Sequence, residues 1–484
     1  MSCLRWIARL LILDQPILAP LHVFLPIAIY NIFTTDHDSP SSEAWLFLTC
    51  LLATVPLAER LGFATDQLCS HVGQQRAGLL NASFGNVPEL VVTIAAIRRG
   101  ISTVAVEALI GSALSNLLLV SGLSALVGGL RHHVQKFNTH NSAMLAYMSL
   151  AMAALVGMVT AAELLSPTGS ADPTYAPAAI VGGSRAIAVA CVSLYGFFLI
   201  FSLITHKELF DDTDEAEALV DGDTGGSGAG AVDGGTAGGG VKAGAAGGEA
   251  GGEAVQATEA SNEPLLGAWG AVLMMAVLIA LISWLSDGLV DAIDGAVEHS
   301  GIPSLILCTL VIPNVNNAPE HSVAAMMAWN NRFDAAVASS VGSAAQLNAL
   351  LLPLTVLLDW AAGGAASFAV LPVLASGMAV GTLFATAVFT SGRSTWMHGV
   401  LLLVVYGAII GAFWMQSSTN LIDFVGEGNS PPGAPASPHL ASAHTSPAEL
   451  RILGWASSPH ARHHGSGSDS AEAVQQTQRT LLPA

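Results

Sequence analysis

The stretch Asn81-Ala-Ser-Phe-Gly-Asn86-Val-Pro88-Glu89-Leu-Val-Val-Thr93 places an amide, a proline and a carboxylate inside an otherwise apolar segment. A charged side chain at the centre of a membrane costs about 2.5–3.5 kcal/mol on insertion scales, so an acidic residue there marks an ion pathway by default. The same arrangement returns downstream as Ile312-Pro-Asn-Val-Asn-Asn317-Ala-Pro319-Glu320-His321. We therefore treat the two stretches as halves of one candidate cation site.

The composition indicates a membrane protein. The chain has 484 residues, of which 52% are hydrophobic and only 11% are charged. This is too apolar for a soluble globular protein and is typical of a polytopic membrane protein. The formal net charge of −19 and the lack of a basic stripe exclude nucleic acid as a partner. The five cysteines form no CxxC pair, so we predict packing roles for them.

The apolar runs predict an all-α membrane protein with about eleven transmembrane helices. The predicted spans are Pro16–Phe33, Glu43–Leu61, Leu79–Ile97, Thr103–Leu126, Ser142–Leu165, Ile180–Ile204, Leu265–Leu285, Pro303–Trp329, Asp334–Leu358, Phe368–Thr390 and Trp396–Trp414. Arg5 and Arg9 precede the first run, so the positive-inside rule places the amino end in the cytosol. In this count Arg98 and Arg99 fall on the outer side, against the rule.

Two polar stretches lie between the predicted spans. Residues 62–78 predict an amphipathic stretch at the membrane surface. Asp287, Asp291, Asp294 and Glu298 predict an acidic outer loop after the seventh span.

We predict five regions along the chain. They are a cytosolic amino end with the first span (1–42), a first five-span repeat (43–210), a disordered acidic and Gly-rich linker (211–263), a second five-span repeat (264–418) and a disordered tail (419–484). The linker composition cannot bury enough apolar surface to fold, so we predict a flexible spacer. The histidines of the tail are interpreted as solvated residues rather than metal ligands.

An internal repeat relates the two halves. Glu89 precedes Gly111 by 22 positions, and Glu320 precedes Gly342 by 22 positions. The matched pairs are Asn86/Asn317, Pro88/Pro319, Glu89/Glu320, Gly111/Gly342, Ser112/Ser343, Ala113/Ala344 and Ser115/Gln346. Because each unit has an odd number of spans, the copies enter the membrane from opposite sides. This inverted repeat is typical of secondary transporters, which bind their ions near the midplane between the repeats.

The paired residues predict the chemistry of the site. Pro88 and Pro319 predict broken helices at the centre, because proline removes a helix hydrogen bond and clashes with the preceding turn. The candidate ligands of the transported cation are Glu89, Glu320, Asn86, Asn317, Ser112, Ser115, Ser343 and Gln346. Carboxylate, amide and hydroxyl oxygens suit a hard divalent cation such as calcium. For the serines and Gln346, packing between helices is the alternative role.

Two neighbouring buried carboxylates also suggest a mechanism. Desolvation and mutual repulsion favour their protonated forms when no metal is bound. A divalent cation then displaces the protons, so that cation and protons compete for one site. Alternating access would convert this competition into antiport.

At these residues the sequence resembles the cation/proton exchangers of the calcium/cation antiporter superfamily. The resemblance covers roughly residues 50–210 and 265–415. It rests on Leu61-Gly-Phe-Ala-Thr-Asp66, Gly78-Leu-Leu-Asn-Ala-Ser-Phe-Gly-Asn86, Ala108-Leu-Ile-Gly-Ser-Ala-Leu-Ser-Asn-Leu-Leu-Leu-Val120, Asn317-Ala-Pro-Glu-His321 and Gly342-Ser-Ala-Ala-Gln346. The resemblance implies eleven spans, a central site on the two glutamates, and export of cytosolic calcium into a vacuole or another acidic organelle.

Several alternatives stay open. A sodium-coupled calcium exchanger of the same superfamily is favoured by Pro88 and Pro319, whereas Asn86 and Asn317 favour protons. A cation channel is disfavoured, because a channel needs symmetry about the membrane normal. No motif predicts an enzyme, and no cofactor is predicted beyond transported calcium and protons. The predicted partners are these ions and membrane lipid, and homo-oligomerisation stays open.

Overall fold

The computed structural model describes residues 18–72, 84–165, 175–206 and 265–428. Within these ranges, eight helices are long and apolar enough to cross a membrane, or nine if one bent pair counts as a span. The predicted class, an all-α integral membrane protein, is therefore confirmed. The number eleven stays a prediction, because the helices at the first, third and eighth predicted spans are short or broken.

The first half begins with a 3₁₀ turn, Ala19–Val23, and ends at residue 206. Its helices are α1 (Phe24–Thr34), α2 (Pro40–Cys69), α3 (Val87–Arg98), α4 (Ser102–Leu114), α5 (Ser121–Arg131), α6 (Thr139–Leu164) and α7 (Tyr175–Ile200). A π-helical turn, Ser115–Val120, joins α4 to α5, and another, Phe201–Thr205, extends α7. The amphipathic stretch predicted from residue 62 continues the helix of the second span as far as Cys69, and its surface location stays a prediction.

The second half repeats this plan. Its helices are α8 (Ala268–Asp291), α9 (Ile293–Ser300), α10 (Ser304–Ile306), α11 (Ile312–Asn316), α12 (Ala318–Trp329), α13 (Phe333–Gln346), α14 (Leu352–Ala361), α15 (Pro372–Phe389) and α16 (Trp396–Gly428). Two π-helical turns, Leu307–Val311 and Leu347–Leu351, lie between α10 and α11 and between α13 and α14. A short antiparallel bridge pairs β1 (Gln135–Lys136) with β2 (Arg393–Ser394).

The predicted acidic outer loop is wrong, because its residues lie on helices α8 and α9. Arg98 Nη1 lies 3.2 Å from an oxygen of Asp287, and Arg99 pairs with Asp291. The two basic residues that contradicted the positive-inside rule are thus each paired with a carboxylate at the same end of the bundle. Their charge is locally neutralised, which accounts for their position.

Helices of the two halves share their cores. Gly288 on α8 packs so closely on α2 that an added Cβ would lie 3.3 Å from Cys50 Sγ. On another side of the bundle, the hydroxyl of Ser142 on α6 donates to the carbonyl of Phe389 on α15 at 3.1 Å. The boundaries 43–210 and 264–418 therefore divide the sequence, and their status as domains stays a prediction.

Three predicted regions (1–42, 211–263 and 419–484) lie wholly or partly outside the described residues. The parts outside are the first 17 residues, the linker 211–263 and the tail beyond residue 428. Helix α16 runs to Gly428, so the predicted tail boundary at residue 419 is ten residues too early.

Candidate cation site

The helices at the centre are broken at two asparagines, which are counterparts in the internal repeat. Asn86 precedes α3 with φ −113° and ψ 31°, and Asn317 precedes α12 with φ −88° and ψ 6°, both outside the helical region. Pro88 and Pro319 occupy the first turn of their helices. In that turn the N–H groups have no partner within the helix, so proline costs little. The prolines thus begin helices instead of kinking them.

Glu89 and Glu320 occupy the first turns of these two helices. Both side chains are half-buried, and the charge of Glu89 acts on Glu320. The positive end of a helix dipole stabilises a nearby carboxylate. Each helix therefore offsets part of the repulsion between the two glutamates.

The two helices leave the centre in opposite directions. Helix α3 ends at Arg98, directly before the continuous helical run Ser102–Arg131. Helix α12 ends at Trp329, whose carbonyl accepts a hydrogen bond from Arg131 at the far end of that run. At 1.5 Å per residue, this run of 30 residues spans about 45 Å. This geometry is the one that an inverted repeat requires.

Two hydrogen bonds cross between the repeats and are related by the internal symmetry. The hydroxyl of Ser343 donates to Asn86 Oδ1 at 2.8 Å, and Asn317 Nδ2 donates to the Ser112 hydroxyl at 2.8 Å. Each asparagine thus contacts the serine of the other repeat. All four side chains are buried or half-buried. The two predicted half-sites therefore meet.

The symmetry fails at the last predicted pair. Gln346 Oε1 accepts a hydrogen bond from Asn86 Nδ2 at 2.7 Å. Its repeat counterpart Ser115 does not contact Asn317 in the same way, and instead its hydroxyl donates to Asn314 Oδ1 at 2.6 Å. The serine side chain is shorter than that of glutamine, and its hydroxyl bonds an asparagine of helix α11 instead.

Sequence reasoning missed several polar residues at the site. Asn116 Nδ2 donates to the Ser343 hydroxyl at 2.9 Å, and Asn116 also hydrogen-bonds Glu320. Its Oδ1 is buried and has no hydrogen-bond partner among the described residues, as a lone pair kept for a cation would be. Asn316 Oδ1 accepts from the Thr54 hydroxyl at 2.9 Å. Asn116 and Asn316 lie within the quoted motifs, so position alone could have identified them, whereas Thr54 gives no such signal.

These residues can bind a hard cation. Asn116 hydrogen-bonds the Glu320 carboxylate, and the other amide and hydroxyl groups bond one another across the two helix breaks. Carboxylate, amide and hydroxyl oxygens are ligands that suit calcium. Within the described part of the chain, no group of three or more His, Cys, Asp or Glu residues is placed to hold a metal. The assignment of the eight candidate residues as ligands remains a prediction.

Comparison with known proteins shows the family of the chain. The profile of the family described as sodium/calcium exchanger protein matches residues 42–204 and 270–415. A Ca(2+)/H(+) antiporter of Aphanothece halophytica is 30% identical over 400 residues, which cover 81% of this chain and 95% of that protein. The vacuolar cation/proton exchanger 2 of Arabidopsis thaliana is 30% identical over 402 residues, covering 81% and 80%.

A solved structure has the same fold. The structure of native YfkE superposes with a TM-score of 0.60 at 21% identity and covers 82% of this chain and 98% of that one. Both repeats and both glutamates lie within the ranges matched by the family profile. The chain therefore belongs to the sodium/calcium exchanger protein family, among its cation/proton exchangers.

Proposed function

We propose that this protein is a secondary active transporter that exchanges calcium for protons by alternating access. The observation that carries the proposal is the central pair of carboxylates, Glu89 and Glu320, at the starts of two helices related by an inverted repeat. The relatives named calcium/proton antiporter and cation/proton exchanger support the choice of ions.

In this mechanism, calcium and protons compete for the two glutamates. One divalent cation or two protons neutralise the pair equally, and either occupant removes the cost of two unpaired charges in a low-dielectric site. Asn86, Asn317 and the predicted serine and glutamine oxygens complete the coordination of calcium. An empty, doubly charged site is disfavoured, which couples the movement of one ion to the other.

The hydrogen bonds between the repeats are the contacts that a change of access must rearrange. Asn86–Ser343 and Asn317–Ser112 are equivalent by the internal symmetry. The inward-facing and outward-facing states of an inverted repeat exchange the environments of its two halves. We expect one asparagine–serine pair to loosen in each state while the other holds.

The direction of transport follows from the compartment. Relatives from plants and from Schizosaccharomyces pombe carry vacuolar names. We propose the membrane of the vacuole or of another acidic organelle, where the proton gradient drives calcium out of the cytosol. The surrounding lipid is the remaining partner.

The test is calcium uptake into proteoliposomes with and without an imposed pH gradient. Wild-type protein should take up calcium only when the vesicle interior is acidic. Glu89→Gln and Glu320→Gln should each abolish this uptake, because one carboxylate cannot neutralise a divalent cation. Glu298→Gln, the same change at an exposed position on α9, is the matched control and should transport normally.

Two outcomes contradict the proposal. Near-normal uptake by both glutamine variants would exclude the carboxylates as the coupling site. Uptake that ignores the pH gradient but follows an imposed sodium gradient would replace the proton by sodium as the coupling ion.

A further inference from the structure

A chain of hydrogen bonds connects the candidate site to the last helix. The Ser115 hydroxyl donates to Asn314 Oδ1 at 2.6 Å, and Asn314 Nδ2 donates to the hydroxyl of Tyr406 at 2.8 Å. Tyr406 lies on α16, and only 7% of its surface is exposed. It belongs to neither repeat motif. The chain therefore joins the site to an element that the sequence did not connect with it.

The chain fixes the direction in which Asn314 presents its amide. Besides the bond to Tyr406, Asn314 Nδ2 donates to the carbonyl of Leu310 at 2.6 Å. Both amide hydrogens are thus used on one side, which leaves Oδ1 facing Ser115. If the amide turned over, its Oδ1 would face the carbonyl oxygen of Leu310, and two acceptors cannot hydrogen-bond each other.

This direction matters for Ser115 as a ligand. A hydroxyl coordinates a cation through an oxygen lone pair, so its hydrogen must point elsewhere. Asn314 accepts that hydrogen. The contact between the Ser115 oxygen and His321 Nε2 is long, at 3.4 Å, and uses at most one lone pair. Tyr406 also hydrogen-bonds Ser115 directly, so Asn314 and Tyr406 together fix the direction of the Ser115 hydroxyl.

At the position of Ser115, an orienting partner is needed in the first repeat only. Gln346 holds the position of Ser115 in the second repeat, and its amide oxygen carries no hydrogen that must be directed away. An amide oxygen therefore acts as a ligand without an orienting partner, whereas a hydroxyl requires one.

We propose that Tyr406 is a positioning residue of the cation site, which orients the Ser115 hydroxyl toward the ion both through Asn314 and by its own contact with Ser115. The inference rests on the proposed function, since it takes Ser115 as a ligand of the transported cation. It adds a residue of the last helix to the determinants of calcium affinity. An amide in the middle of the chain does not pass protons readily, so the role of the chain is orientation.

The test is calcium uptake by Tyr406→Phe, which removes one hydroxyl and keeps the ring. The apparent KM for calcium should rise about two- to tenfold, the effect of one buried hydrogen bond, with Vmax nearly unchanged. Tyr195→Phe is the matched control. Tyr195 is 5% exposed on α7 and packs against Phe198, and its replacement should leave both constants unchanged.

A double-mutant cycle separates positioning from general damage. In a Ser115→Ala background, Tyr406→Phe should have no further effect on KM, because the group that it orients is gone. Asn314→Leu, which removes the acceptor of the Ser115 hydrogen, should also raise KM. An unchanged KM in Tyr406→Phe, a fall in Vmax alone, or equal effects in both backgrounds would overturn the inference.

Failure of the inference is distinguishable from failure of the proposed function. If wild-type protein shows no proton-driven calcium uptake, the proposed function fails and the inference fails with it. If wild-type protein shows proton-driven calcium uptake, and Tyr406→Phe has the same KM as wild type, the inference alone is overturned and the proposed function stands.

Discussion

Replacing Gly111 by alanine tests the contact between the two repeats at the site. An added Cβ would lie 2.6 Å from the Cα and 2.7 Å from the carbonyl carbon of Thr309, in the π-helical turn of the other repeat. These are backbone atoms, so no side-chain rotation can relieve the overlap. Since ordinary contacts begin near 3.4 Å, the two segments must separate by about 1 Å.

The expected cost follows from this separation. Overpacking of a tight contact costs about 1–3 kcal/mol, and the higher helix propensity of alanine offsets up to about 1 kcal/mol. Ser112 is the next residue and Ser115 lies four positions after Gly111, so the displacement also moves two candidate ligands. We expect Gly111→Ala to lower the apparent melting temperature in detergent and to raise the KM for calcium.

The repeat supplies its own control. Gly342 is the counterpart of Gly111, but a Cβ there would meet only Leu145 Cδ1, at an ordinary 3.9 Å. Gly342→Ala should therefore leave the melting temperature unchanged or slightly raised, with normal uptake. Equal effects of the two substitutions, or a Gly111→Ala protein that melts and transports like wild type, would refute the reasoning.

Two further predictions concern contacts between the halves. Ser112→Ala removes the hydrogen bond from Asn317, and Ser343→Ala removes the bonds to both Asn86 and Asn116, so each should slow calcium uptake severalfold, Ser343→Ala the more, and normal uptake by both variants would contradict a role of these contacts. The ion pairs of Arg98 and Arg99 are partly exposed, and such pairs contribute about 0–1 kcal/mol. The double change Asp287→Asn with Asp291→Asn should therefore lower the melting temperature only slightly, mostly at low salt, and a complete loss of uptake would show a larger role.

Much of the site could be predicted from the sequence because the repeat acts as an internal alignment. The common spacing of 22 positions paired Asn86 with Asn317 and Ser112 with Ser343, and in the structure these four side chains bond across the repeats. An acidic residue in an apolar run is costly, so Glu89 and Glu320 were visible without any structure.

The rest depended on three-dimensional contacts that spacing does not record. Tyr406 lies on an apolar helix outside both motifs, and only the position of Asn314 reveals its role. The acidic residues after the seventh span predicted a loop because they are charged, although their spacing also fits a helix. Their pairing with Arg98 and Arg99 joins residues nearly 200 positions apart, which no local pattern predicts.

The coupled flux of the two ions tests the central claim most directly. Calcium entry into acid-loaded proteoliposomes and proton release from them are followed at the same time, with wild-type protein and with Glu89→Gln and Glu320→Gln. The account predicts that the two fluxes rise together in a fixed ratio in the wild type and vanish together in both variants. Calcium entry without proton release, or coupled fluxes that survive in either variant, would contradict it.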